Sequence, residues 1–126
     1  MKKCMVLLIL TAVILCCGCQ TQYEYEFEQP ADQVRQVYIV LEENGTEQRI
    51  ECTTDILADI QALPCRKYWN DPPFMIVVPY VLIEYNNGAV EKICAHSNCY
   101  EIDGEIDFDW EYFDTDEFSE VLQKYR

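Results

Sequence analysis

Several stretches of the chain alternate apolar and polar residues with a period of two, which is the pattern of half-buried β-strands. One stretch runs from Val34 to Leu41 and another from Glu47 to Cys52, joined by the turn residues Asn44-Gly45. Asn-Gly favours a two-residue hairpin turn because both residues tolerate positive φ. Pairing Glu43 with Thr46 then gathers most of the apolar residues on one face and leaves only Val40 out of place: Val37, Ile39, Leu41, Ile50 and Cys52.

A second hairpin is predicted around Asn87-Gly88. It joins a strand from Tyr80 to Asn86 with a strand from Ala89 to Ala95. A two-residue loop would set two glutamates opposite each other, whereas a three-residue loop pairs Val81 with Ile93. We therefore expect the longer loop.

A third hairpin is predicted around Asp103-Gly104, between Cys99–Ile102 and Ile106–Tyr112. A two-residue turn would place Ile102 beside Glu105, so we expect an odd-numbered loop that pairs Ile102 with Ile106. Phe108, Trp110 and Tyr112 then face the core. The acidic residues between them become the solvated side of an edge strand, and weak cation binding there is the alternative: Glu105, Asp107, Asp109 and Glu111.

Two helices complete the predicted fold. Thr54 or Asp55 can cap a short helix that Pro64 limits to Leu63. Asp114, followed three residues later by Glu117, has the spacing of a capping box before a final amphipathic helix. The sequence thus predicts an α+β fold, in which an antiparallel β-sheet of five to seven strands has two α-helices packed on one face, within a single domain over residues 34–126.

The N-terminal residues resemble a bacterial lipoprotein signal. Lys2 and Lys3 precede an apolar run from Met5 to Leu15, which leads into Cys16-Cys17-Gly18-Cys19. The run has eleven residues, whereas a spanning helix needs about 20. We expect residues 1–18 to be a cleaved signal peptide and Cys19 to carry the lipid, which places the domain on the extracytoplasmic face of the cell membrane. An ordinary secretory signal or an uncleaved anchor is the alternative.

Residues 19–33 link this anchor to the domain. Tyr23, Tyr25 and Phe27 alternate with glutamates, so the segment is either a first strand or a flexible acidic tether. Beyond residue 18 the chain has seven basic and 23 acidic residues, a formal charge of −16. This charge excludes nucleic acid, whose binding needs clustered Lys and Arg, and argues against an anionic lipid surface bound by the protein itself.

The exported part contains Cys52, Cys65, Cys94 and Cys99 besides Cys19. An even number of cysteines outside the cytoplasm suggests disulfides. We expect Cys52 to bond Cys65 and Cys94 to bond Cys99, with Cys52–Cys94 and Cys65–Cys99 as the alternative. The spacing around His96 does not match the usual zinc motifs, and a thiol nucleophile with His96 as its base has no orienting partner. We therefore expect no metal, no cofactor and no enzymatic activity.

The loop after the first helix is the most binding-like part of the sequence. Arg66-Lys67 is the only basic dipeptide after residue 18, and it stands directly before Tyr68-Trp69. These four residues are the candidates for binding a protein or glycan partner. The alternative is that the aromatic pair packs down over the end of the sheet.

A family resemblance supports the predicted location. Five phrases look like those of small uncharacterised lipoproteins of Gram-positive anaerobes, for which no activity is established: Leu63-Pro64-Cys65, Tyr68 to Pro73, Pro79-Tyr80, Ile83 to Gly88 and Tyr112-Phe113-Asp114. The resemblance implies an anchored extracytoplasmic domain and assigns no site. We expect a non-enzymatic interaction or binding module, with an inhibitor or immunity-type lipoprotein as the alternative and a thiol or metal-dependent enzyme as a distant third.

Overall fold

The computed structural model describes residues 22–69, 75–109 and 111–126. Within them a short 3-10 helix (Ala31–Gln33) precedes eight strands and two α-helices. In chain order these are β1 (Val34–Glu43), β2 (Thr46–Cys52), α1 (Asp55–Gln61), β3 (Cys65–Lys67), β4 (Tyr80–Tyr85), β5 (Val90–Ile93), β6 (Asn98–Ile102), β7 (Glu105–Asp109), β8 (Glu111–Phe113) and α2 (Thr115–Lys124).

Six of these strands form one antiparallel sheet in the order β2-β1-β4-β5-β6-β7, and the short strands β3 and β8 form a second sheet. Both helices pack on the same face of the large sheet through five buried residues: Ile56, Leu57, Ile60, Phe118 and Leu122. The predicted α+β fold is therefore confirmed. Neither helix of the described residues is long and apolar enough to cross a membrane.

The first hairpin has the predicted register, with Glu43 opposite Thr46. Val40, which did not fit the predicted inward face, is fully buried because the opposite face of the sheet carries a smaller apolar cluster. Its buried members are Val40, Tyr80, Leu82 and Cys94, with Ile76 and Val78 packed against them. Both faces of the central strands are thus buried, which is why a single inward stripe could not explain β1.

The second hairpin also has the predicted register, since Val81 lies opposite Ile93. The three-residue loop leaves Gly88 at φ 88°, a conformation that favours glycine. The same register sets Glu91 opposite Ile83, on the face that the helices cover. Because side chains alternate between the two faces of β5, the Glu91 carboxylate lies in the core.

The third hairpin was predicted wrongly. Its turn has two residues, Asp103 at φ 52° and Gly104 at φ 82°, and it sets Ile102 opposite Glu105. Asp-Gly favours a two-residue turn with positive φ at both residues. This turn sets the register, and the predicted pairing of Ile102 with Ile106 does not form. Because a shift of one residue exchanges the faces of a strand, Ile106 is 53% exposed and Asp109 lies opposite Asn98, whose side chain is buried. Trp110 lies outside the described residues.

The two helices begin close to their predicted positions. Thr54 precedes α1 but makes no side-chain capping bond. Asp114 caps α2: its Oδ1 accepts hydrogen bonds from the backbone N–H of Asp116 at 3.1 Å and of Glu117 at 3.0 Å. The rings of Phe113 and Phe118 stack with centroids 5.5 Å apart across this cap.

The chain before β1 is neither a regular strand nor a free tether in its described part. Tyr25 is 1% exposed within the core, and Tyr23 forms a single antiparallel bridge with Cys65. Residues 22–29 therefore pack as an extended segment, which we call the N-terminal segment. The predicted lipidation site, Cys19, lies outside the described residues, as does the signal peptide.

Candidate functional site

The four predicted binding residues lie in β3 and directly after it. Arg66 and Lys67 belong to β3, opposite Tyr112 and Glu111 of β8. Lys67 is exposed, whereas Arg66 is half-buried and its Nε has no hydrogen-bond partner in the described part of the chain. We call residues 66–79 the Trp69 loop; its residues 70–74 lie outside the described ones.

Tyr68 and Trp69 have different environments. The Tyr68 hydroxyl donates a hydrogen bond to the His96 carbonyl at 2.6 Å, and its ring lies 4.6 Å from that of Tyr112. Trp69, in contrast, is 82% exposed. The alternative, in which the aromatic pair packs down over the sheet, therefore holds for Tyr68 and is wrong for Trp69.

The other end of the Trp69 loop is fixed to the same turn between β5 and β6. Ser97 Oγ donates a hydrogen bond to the Met75 carbonyl at 2.6 Å, one residue from the carbonyl that Tyr68 contacts. Residues 75–78 then alternate: Ile76 and Val78 pack on the smaller apolar cluster, while Met75 and Val77 are 64% and 44% exposed. Met75 and Val77 thus expose apolar side chains next to a carbonyl that Ser97 holds in place.

The four cysteines that were predicted to form disulfides are free thiols in the structure. Cys52 and Cys65 both pack with the main core, whereas Cys94 belongs to the cluster on the opposite face of the sheet. The alternative pairing of Cys52 with Cys94 is therefore wrong, because the sheet separates them. Cys99 lies directly opposite Lys92 and only diagonally from Cys94, and the pairs Cys52–Cys65 and Cys94–Cys99 stay predictions.

Cys65 and Cys99 do not have the environment of an activated nucleophile. Burial, reinforced by the nearby Glu111 carboxylate, raises the pKa of Cys65 to about 12, and burial also raises the pKa of Cys99. A reactive cysteine needs the opposite shift, toward the thiolate. The described residues contain no group of three His, Cys, Asp or Glu side chains that is arranged to hold a metal ion.

A buried carboxylate that the sequence analysis missed lies under the N-terminal segment. Glu91 of β5 is 1% exposed and accepts three hydrogen bonds. The donors are the Tyr25 hydroxyl at 2.5 Å, the Tyr85 hydroxyl at 2.5 Å and the backbone N–H of Glu28 at 3.1 Å. Two of these donors belong to the N-terminal segment, so Glu91 attaches this segment to the sheet.

Two more carboxyl groups extend this site. Asn98 Nδ2 donates to the Tyr25 hydroxyl at 2.9 Å and to Asp109 Oδ2 at 3.2 Å. Burial, followed by a hydrogen bond with Asp109 and the charges of Asp109 and Glu91, raises the pKa of Glu28 to about 7. The Glu28 carboxyl group therefore titrates near neutral pH beside the Asp109 side chain. We call Glu28, Glu91 and Asp109 the carboxylate cluster.

The cluster's tyrosines remain hydrogen-bond donors at neutral pH. Burial and the neighbouring Glu91 charge raise the pKa of both Tyr25 and Tyr85 well above the usual value. Burial also raises the pKa of Glu91. The Tyr25 and Tyr85 hydroxyls and the Glu91 carboxylate hydrogen-bond one another. This arrangement attaches the N-terminal segment to the sheet and leaves none of these three groups open for a reaction.

One of these carboxylates could have been found from the sequence. Pairing Val81 with Ile93 puts Glu91 on the core face by simple alternation, and Tyr85 lies on the same face. Asp109 was assigned to the solvated side because the third hairpin's register was predicted wrongly. The prediction of an outward-facing acidic strand is therefore wrong for Asp109, which contacts Asn98.

An open cleft of about 610 Å³ lies between the N-terminal segment and α1. Its walls include Phe27 and Glu28 on one side and Leu57 and Gln61 on the other. Gln61 Nε2 donates to the Tyr25 carbonyl at 3.2 Å across its end. The cleft brings solvent close to the Glu28 end of the carboxylate cluster.

Comparisons of the chain with protein-family models, with curated proteins and with solved structures give no match. Functional conclusions therefore depend on the chemistry of the Trp69 loop and of the carboxylate cluster. Of the two, the Trp69 loop exposes the apolar side chains of Trp69, Met75 and Val77, whereas Glu91 at the centre of the cluster is buried.

Proposed function

We propose that the protein is a lipid-anchored, non-enzymatic interaction module on the extracytoplasmic face of the cell membrane, and that the Trp69 loop is its contact surface. The observation that carries this proposal is the 82% exposure of Trp69 beside a Tyr68 that is held by a hydrogen bond and a ring contact. The anchor itself is proposed from the signal sequence before Cys19.

The exposure of Trp69 is informative because apolar side chains near it pack against the protein, whereas its own side chain does not. Tyr68 packs on Tyr112, and Ile76 and Val78 pack on the smaller apolar cluster. A large aromatic side chain left in water lacks apolar burial that a partner can provide. Tryptophan is also among the residues that contribute most to binding when they are buried at the centre of an interface.

Site-specific photo-crosslinking in the native host tests this proposal. A photoreactive amino acid in place of Trp69 should give crosslinked products at the cell envelope. The matched control is the same substitution at Ile106, an exposed apolar residue on β7, which should give few products. Equal labelling from both positions, or none from position 69, would contradict the proposed contact surface.

A further inference from the structure

The start of the N-terminal segment lies directly beside the strand that leads into the Trp69 loop. The Tyr23 N–H donates to the Cys65 carbonyl at 3.0 Å, and the Cys65 N–H donates to the Tyr23 carbonyl at 3.0 Å. This pair of bonds is antiparallel. At this bridge the N-terminal segment therefore runs opposite to β3, which continues forward toward Trp69.

The distances along the chain match on the two sides of this bridge. Cys19 is four residues before Tyr23, and Trp69 is four residues after Cys65. Four extended residues span at most about 14 Å. A lipid on Cys19 thus keeps the bilayer within about 14 Å of the bridged Tyr23, and Trp69 lies within the same chain length of its partner Cys65.

The exposed residues of the Trp69 loop suit the interface of a bilayer. Trp69, Met75 and Val77 are 82%, 64% and 44% exposed, so this loop contains three of the four large apolar residues recorded as exposed in the described chain. Tryptophan prefers the level of the lipid headgroups, where its ring is partly desolvated and its N–H keeps a polar partner. The basic pair Arg66-Lys67 precedes Trp69 and locally offsets the acidic excess of the domain.

We infer that the exposed side chains of Trp69, Met75 and Val77 contact the extracytoplasmic surface of the bilayer beside the lipid on Cys19, at the level of the headgroups. This inference depends on the proposed anchor and names the partner of the proposed contact surface. The contact is apolar and needs no anionic lipid, which agrees with the net charge of the exported chain. It adds a second attachment to the lipid, since stable membrane binding generally takes two signals, and it fixes the orientation of the domain.

Tryptophan quenching on vesicles tests the inference directly. The full lipidated protein is reconstituted into phosphatidylcholine vesicles that contain lipids spin-labelled near the headgroup. The chain has two tryptophans, Trp69 and Trp110, so Trp69→Phe identifies which one is quenched. We expect wild-type emission to be quenched and most of the quenching to disappear in Trp69→Phe. Met75→Ser should weaken it, whereas Ile106→Ser, the matched change on β7, should not.

The outcomes separate the inference from the proposed function. A protein that floats with the vesicles but whose emission is equally quenched in wild type and Trp69→Phe overturns the bilayer contact and leaves the anchor standing. Crosslinking of position 69 to a protein or glycan in cells, with unquenched Trp69 on vesicles, also overturns it and supports a different partner for the same loop. A protein that does not float contradicts both the anchor and the bilayer contact.

Discussion

At the scale of single residues, Glu91 is the polar group on which the interior most depends. Its three hydrogen bonds come from Tyr25, Tyr85 and the Glu28 backbone. A buried donor that loses its acceptor costs about 1–3 kcal/mol, because the donor stays desolvated. Removal of one carboxylate would leave all three donors without this acceptor.

Glu91→Ala should therefore lower the free energy of unfolding by about 3 kcal/mol or more, as the sum of several desolvated donors and a cavity. Urea denaturation followed by tyrosine and tryptophan fluorescence measures the change. Glu84→Ala is the control, since Glu84 lies on the adjacent strand and pairs with the exposed Arg35. If both variants shift the midpoint equally, the buried hydrogen bonds of Glu91 are not important for stability.

The raised pKa of Glu28 makes the stability of the fold depend on pH. The pKa of Glu28 is raised from the usual 4.5 to about 7 in the folded protein, so the folded state holds the Glu28 proton more tightly than the unfolded chain. Its contribution is fully present below the unfolded pKa and is lost as pH rises through about 7. Because the Glu28 side chain is exposed, solvent screening makes the effect smaller than the shift alone suggests.

Wild-type stability should therefore fall, relative to Glu28→Gln, between about pH 5 and pH 8. The amide cannot ionise, and it can keep a hydrogen bond with Asp109. Urea midpoints of both proteins across this range check the expectation, with the wild-type curve approaching or crossing below that of the variant as pH rises. Parallel curves would show that Glu28 titrates normally.

At the scale of elements, α2 and the hairpins show what the sequence predicts well. The α2 cap and the first two hairpin registers depend on residues that are neighbours in the chain or across a turn. The start of α2 could therefore be predicted from Asp114, and the length of the second hairpin loop from the pairing of Val81 with Ile93. Local chemistry was sufficient in these cases.

The parts that could not be predicted depend on competition between local and distant contacts. In the third hairpin, the positive-φ preference of Asp103-Gly104 competes with the apolar pairing of Ile102 and Ile106, and the turn wins. The carboxylate cluster then needs this register together with the docking of Tyr25, which is 66 residues from Glu91 in the chain. No single window of the sequence contains both.

Asp114→Ala should lower the free energy of unfolding by about 0.5–2 kcal/mol, because two backbone N–H groups of α2 lose their acceptor. Chemical denaturation measures it. Glu120→Ala is the matched control, since it removes one acidic side chain from an exposed position in the same helix. A cap variant no less stable than this control would mean that Asp114 does not stabilise the start of α2.

At the scale of the whole molecule, the attachment of the N-terminal segment determines how the proposed anchor and the domain relate. Tyr23 is hydrogen-bonded to Cys65 and Tyr25 is buried, so the described segment belongs to the folded body. Only residues 20–22 separate Cys19 from Tyr23. A lipid on Cys19 would therefore hold the domain close to the bilayer instead of at the end of a long linker.

Cys19→Ala should abolish incorporation of radiolabelled palmitate and release the protein from the membrane fraction, because the thioether to the lipid needs this sulfur. The domain should remain folded, since the contacts that attach the N-terminal segment begin at Tyr23. Cys17→Ala is the matched control, because it removes a neighbouring thiol on the other side of Gly18 and should leave the label unchanged. Full labelling of Cys19→Ala, with loss of label in Cys17→Ala, would move the anchor to the other cysteine and lengthen the connection to Tyr23 by two residues. The bilayer would then lie farther from the Trp69 loop, so the position of the lipid bears directly on the inferred contact.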